Sequence, residues 1–133
     1  MAHEISEKFI EALHALEESR DVEKIAALFA DGAEVNNVVT IENSHDLQAR
    51  DFWQKYRDNF GEVHSEFRNK IYGENSAALE WTTTGTSADG GAIDYEGVSI
   101  LETDGARITR FFAYFNPSKL GRQIDEAAQA TKA

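Results

Sequence analysis

The chain has 133 residues, no cysteine, and 13 basic against 24 acidic side chains, a formal net charge of −11. That balance excludes nucleic-acid and anionic-lipid docking, which both rest on Lys and Arg, and the absence of Cys excludes disulfides and thiolate chemistry. With 41% apolar residues and 11% aromatic ones it is a globular chain, read as a single domain over residues 1–133.

Residues 4–18 predict a helix, with Ile5, Phe9, Leu13 and Leu16 on one apolar stripe and glutamates opposite. On that polar side His14, Glu17 and Glu18 stand at metal-like spacing, but nothing in sequence completes them, and they read as surface. Asp21 is the expected N-cap of a second helix with Val22, Ile25, Ala26 and Phe29 on one face. Gly32 is its expected left-handed cap. Ala33 to Ile41 reads as a strand. The loop Glu42 to Asp46 follows, then a third helical stripe of Ala49, Phe52, Trp53, Tyr56 and Phe60, stopped by Gly61.

Beyond Glu62 the punctuation changes. Gly73-Glu74-Asn75, Asp89-Gly90-Gly91 and Asp104-Gly105 are turn signals separating β-rich runs at about 62–72, 76–87, 92–103 and 107–116. Turns this short make neighbours antiparallel. Gly85 and Gly97 inside these runs mark bends. His64, Glu66 and Arg68 alternate on one face, which reads as a solvated or interfacial charge ladder. Lys119 to Thr131 predicts a short closing helix. Helices followed by an antiparallel sheet indicate an α+β domain with a pocket between the layers. The acidic start carries no signal peptide and no apolar run spans a membrane, so the expected location is cytoplasmic.

Several stretches carry a resemblance. Phe9-Ile10-Glu11-Ala12-Leu13 and the run from Ile25 to Ala33 resemble the opening of nuclear transport factor 2-like domains. The run from Glu80 to Thr86, that from Glu96 to Glu102, and the stretch from Asp104 to Pro117 resemble the SnoaL-like branch, so that about residues 5 to 124 are covered. The resemblance implies a cone: a strongly curved antiparallel sheet wrapped around three helices, often a homodimer through its outer face. The family holds polyketide cyclases, ketosteroid isomerases, limonene epoxide hydrolases, dehydratases and non-catalytic binding modules, so fold does not fix chemistry.

Residue by residue, the ketosteroid isomerase machinery falls on Asn37, Phe9 and Val98 and is missing. The epoxide hydrolase set falls on Asn37, Asn116, Glu80 and Thr82, where only Asn37 agrees. What the resemblance leaves is Glu80 as the one acid, with Asn37 and Asn116 as orienting amides, Tyr114 or Tyr56 as phenolic donor, and His45 at the cavity mouth. Trp53, Tyr56, Phe60, Thr82 and Phe112 would wall a small apolar or aromatic ligand. Strand alternation lets only one of Glu80 and Trp81 face inward. No metal and no cofactor are expected. Two functions follow: a cofactor-independent isomerase, lyase or cyclase working by proton transfer on a carbonyl, hydroxyl or epoxide compound, or a ligand-binding or dimeric interaction module without catalysis.

Overall fold

A computed structural model describes residues 2–38 and 48–120. His45, the end of the first predicted strand and most of the closing helix lie outside the described residues.

Helix α1, Ala2–Ser19, buries Ile5, Phe9, Leu13 and Leu16 as the stripe requires. It ends at Arg20, whose φ of +61° turns the chain, while the Arg20 N–H still donates to Leu16 O at 2.9 Å. Asp21 caps α2, Val22–Ala26, by accepting the Glu23 N–H at 3.0 Å. This helix is shorter than its apolar face suggests. The Ile108 N–H donates to Leu28 O at 2.9 Å and draws the chain into the sheet, so Phe29 opens strand β1, Phe29–Asn37. Gly32, expected as a helix cap, lies instead within β1 at φ +74°, where the pairing with the neighbouring strand slips between Phe29 and Glu34. Helix α3, Ala49–Asn59, follows and buries Phe52 and Trp53. Arg20 reaches across to its end, donating to Arg57 O at 3.0 Å and Gly61 O at 3.2 Å, and so ties the end of α1 to the end of α3 and the residues after it.

The four later strands fall almost where the turn signals put them: β2 Phe60–Tyr72, β3 Ser76–Ser87, β4 Ala92–Thr103 and β5 Ile108–Phe115. The sheet order is β1-β5-β4-β3-β2. Three junctions are antiparallel, but β1 lies parallel to β5. The expected all-antiparallel sheet is thus a mixed one, because β1 enters from the helical layer rather than from a hairpin. The sheet is open, with β1 and β2 at its edges.

Alternation sets two faces. Leu79, Trp81 and Thr83 of β3, Tyr95, Ser99 and Leu101 of β4, and Phe111 of β5 are buried toward the helices. Phe9, Leu16, Ile25, Leu79, Leu101 and Ile108 are the largest fully enclosed apolar side chains, each worth about 1.5–3 kcal/mol relative to exposure. Among the described residues no helix is long and apolar enough to cross a membrane.

Gly85 holds φ at +151°, and a Cβ there would lie 2.0 Å from Glu62 O and 2.8 Å from Val63 Cα, at the β2–β3 register shift. Gly32 shares the positive φ but faces open space. Gly85→Ala should therefore cost about 3 kcal/mol or more, from backbone strain and collision together. Gly32→Ala should cost only about 1–2 kcal/mol. Urea denaturation midpoints of the two variants check the order; equal losses would refute it.

Candidate functional site

Between α1, α3 and the inner face of the sheet lies a cavity of about 330 Å³, at the small end of the roughly 300–1,000 Å³ typical of ligand sites. Its walls are mostly aromatic. Trp53 from α3 meets Phe111 at 5.1 Å between ring centroids, and Trp81 meets Tyr95 at 5.3 Å. Trp81 can lie flat against β4 because Gly97 is opposite it: a Cβ at that position would sit 2.8 Å from Trp81 Cζ2. The Trp81 indole N–H donates to Ser99 Oγ at 2.9 Å.

The polar end of the cavity is built around Glu17, a residue that reads as surface in sequence and is 8% exposed in the fold. One turn beyond Leu13 on the apolar stripe, it continues the spacing of Phe9 and Leu13, and that was the available signal. Its carboxylate takes three hydrogen bonds: the Ser65 N–H on Oε1 at 2.9 Å, and on Oε2 the Ser65 hydroxyl at 2.6 Å and the Tyr56 hydroxyl at 2.9 Å. Ser65 Oγ lies 2.7 Å from Thr83 Oγ1. Tyr56, Ser65 and Thr83 all line the cavity, so Glu17 stands one hydroxyl behind its wall. Burial first, then the neighbouring Tyr95 and Glu17, push the Tyr56 phenol well above its ordinary value. Burial and the Glu17 charge push Tyr95 up as well. Both remain neutral phenols in ordinary buffer.

His14, Glu17 and His64 bring possible metal-ligating atoms within 4.8 Å of one another. The arrangement is already committed: a carbonyl only accepts, so His14 Nε2 donates to Ser65 O at 2.9 Å, and Glu17 is held by its three donors. His14 stacks on His64 at 5.5 Å. The set reads as a lattice tying α1 to β2.

The sequence candidates divide by face. Asn37, Trp53, Tyr56 and Phe60 line the cavity. Glu80 does not. Trp81 takes the inward position, and Glu80 points outward, accepting from Arg68 Nε at 3.0 Å and from the Asn69 side chain at 2.6 Å. Those donors, Arg68 first, hold its carboxyl below the usual range, the opposite of a buried base. Thr82 shares that outer face and meets the Arg68 guanidinium, which also bonds Glu96 at 2.8 Å. Of the ladder anticipated on β2, Arg68 enters this network, whereas His64 stacks on His14 and lies 3.8 Å from Glu66. Phe112 and Tyr114 are also on the outside: their rings meet at 4.5 Å, Arg110 covers Phe112, and Tyr114 is 48% exposed. Alternation explains both, since Phe111 and Ala113 face in. Asn116 is exposed and caps backbone, accepting from the Ser118 N–H at 3.0 Å and Lys119 N–H at 3.3 Å.

The architecture has many relatives. The sequence matches the SnoaL-like domain family over residues 7–111, and no curated protein matches it. Similar solved structures include a candidate isomerase from Rhodopseudomonas palustris, at 16% identity and TM-score 0.78, covering 92% of this chain and 96% of that one. TerC co-crystallised with polyporic acid is 15% identical with TM-score 0.74, over 92% and 96% of the two chains. A ketosteroid isomerase-like protein from Catenulispora acidiphila in complex with trimethylamine is 16% identical with TM-score 0.73, over 92% and 93%. At such identities the likeness is one of fold.

The raised phenols set an alkaline limit on stability. In the unfolded chain Tyr56 and Tyr95 lose protons near the ordinary value of 10.0, whereas in the fold they keep them to higher pH. The native state then binds more protons, so their contribution is full below pH 10 and is lost as pH rises through the folded values. Urea midpoints between pH 8 and 11.5 should fall above pH 10, and less steeply in Tyr95→Phe. Equal slopes would contradict the burial argument. At pH 7, Glu17→Ala should cost about 2–3 kcal/mol by stranding the Ser65 donors. From this geometry and the sequence match together, the chain belongs to the SnoaL-like domain family.

Proposed function

We propose that the chain is a cofactor-independent enzyme of the isomerase, lyase or cyclase kind, which encloses a small, largely apolar molecule and moves a proton on it. One observation carries this reading: a buried carboxylate, Glu17, joined to two cavity-wall hydroxyls inside an aromatic hollow. A buried charge is expensive unless its partners are complete, and here one partner, Tyr56, faces both the carboxylate and the cavity. When a ligand gives its proton to the Tyr56 oxygen, the phenolic proton passes to Glu17 Oε2. The ligand is left as the anion and the negative charge has moved from Glu17 to it. Return of a proton at another atom completes an isomerisation. Asn37, at the end of β1, lines the cavity and serves to orient the ligand.

One observation favours the second reading, a ligand-binding module without turnover: no carboxylate of the described residues lines the cavity directly. The two readings part in one experiment. Ketosteroids, epoxides and aromatic ketols are incubated with the protein in D2O and followed by NMR, while quenching of Trp53 and Trp81 reports occupancy. Both tryptophans of the chain line the cavity. The enzyme reading expects conversion or deuterium uptake, reduced about 10²–10⁴-fold in Tyr56→Phe and Glu17→Gln. Quenching with no exchange in any compound would leave the binding module.

We also propose that a second copy covers the outer sheet face, where Tyr114 and Ile71 are 48% and 69% exposed beside the Arg68–Glu80–Glu96 ladder. Light scattering should give twice the chain's mass, and Tyr114→Arg should shift it toward one. A wild-type monomer would remove the dimer.

A further inference from the structure

The hydroxyls at the polar end of the cavity have a direction, and the direction follows from counting protons. A carboxylate only accepts, and a Ser, Thr or Tyr hydroxyl has one proton to give. Tyr56 spends its proton on Glu17 Oε2 at 2.9 Å, and Ser65 spends its own there at 2.6 Å. The 2.7 Å contact between Ser65 and Thr83 must then be donated by Thr83. All three protons point toward Glu17. What Tyr56 and Thr83 turn to the cavity is lone pairs.

One hydroxyl nearby is different. Tyr95 lines the cavity, is 5% exposed, and its phenol has no hydrogen-bond partner among the described residues. Tyr95 is the register partner of Thr83 across β3 and β4, and its ring stacks at 6.3 Å on Phe60, which in turn meets Tyr56 at 5.1 Å. Burial keeps Tyr95 protonated, so it remains a donor. The cavity end thus offers two acceptors and a spare donor within an apolar chamber. A ketone or ether can only take a hydrogen bond there and would leave the acceptors dry. A hydroxyl can give one and take one.

We infer that the polar end of this cavity is a hydroxyl-binding subsite, and that the ligand is a phenol or enol with an apolar body, whose O–H donates to Tyr56 or Thr83 and accepts from Tyr95. A cation is the poorer occupant, because the Glu17 charge is already met by three donors and lies behind the wall. The apolar body follows from the aromatic walls, which include Trp53, Phe111, Trp81 and Tyr95. The inference rests on the pocket reading above and names the chemistry that the pocket selects.

The test uses the whole chain and three probes, 2-naphthol, 2-fluoronaphthalene and 2-methoxynaphthalene, with Kd read from tryptophan quenching at pH 7. 2-Naphthol, the least hydrophobic, should bind about tenfold or more tighter than either of the others, one hydrogen bond's worth of discrimination. Thr83→Val, nearly isosteric, and Tyr56→Phe should each shrink that ratio severalfold. Tyr95→Phe should shrink it too while leaving the Glu17 lattice intact. If the fluoro or methoxy compound binds as tightly as 2-naphthol, the hydroxyl subsite is wrong although the pocket stands. If all three fail to bind, the pocket reading falls and the subsite with it.

Discussion

The buried carboxylate of Glu17 is the interaction on which the rest of this structure depends. It comes from α1, takes the backbone and side chain of Ser65 on β2, and takes the hydroxyl of Tyr56 on α3. Three separate elements are thus fixed by one side chain, and each contributes to the same cavity. Few polar arrangements are so exposed to error: the low local dielectric that strengthens a complete network makes an incomplete one costly. The three donors are what allow a carboxylate to sit in the helical layer of an otherwise apolar core.

The sheet then sorts function by parity. Odd-numbered residues of β3 from Ala77 to Thr83 are buried toward the helices, Trp81 and Thr83 among them lining the cavity, and even-numbered ones face out. On the inner side this gives an aromatic lining with a few hydroxyls. On the outer side it gives the ladder of Arg68, Glu80 and Glu96 and the ring pair of Phe112 and Tyr114. The Arg68–Glu80–Glu96 ladder thus meets on the far face of the sheet, away from the cavity, and Glu17 is a charge brought inside with its donors.

Most of the fold was legible in the sequence. Three turn signals placed β2 to β5 within a few residues, since Gly and Asp at the corners leave the backbone few alternatives. The first strand was misplaced because Phe29 fits a helical stripe as well as a strand, and only the long-range bond from Ile108 to Leu28 decides between them. The site was less legible. Trp53, Tyr56, Phe60 and Asn37 line the cavity, whereas Glu80, Thr82, Phe112, Tyr114 and Asn116 belong to the outer face or to a backbone cap. Parity within a strand is a one-residue question, and local composition does not answer it. Glu17 was missed for a related reason: a charged side chain on the margin of an apolar stripe looks solvated until the strand that supplies its donors is in place.

Phe111 stands in ring contact with Phe9 at 5.4 Å, Phe29 at 6.3 Å, Phe52 at 5.9 Å and Trp53 at 5.1 Å. It is the keystone at which β5, α1, β1 and α3 converge. Interlocked rings at interior density resist piecemeal rearrangement. A descendant of this chain that acquires a differently shaped guest would therefore exchange several of these rings together, and single substitutions at position 111 would be filtered out by misfolding before any change in selectivity could be tried.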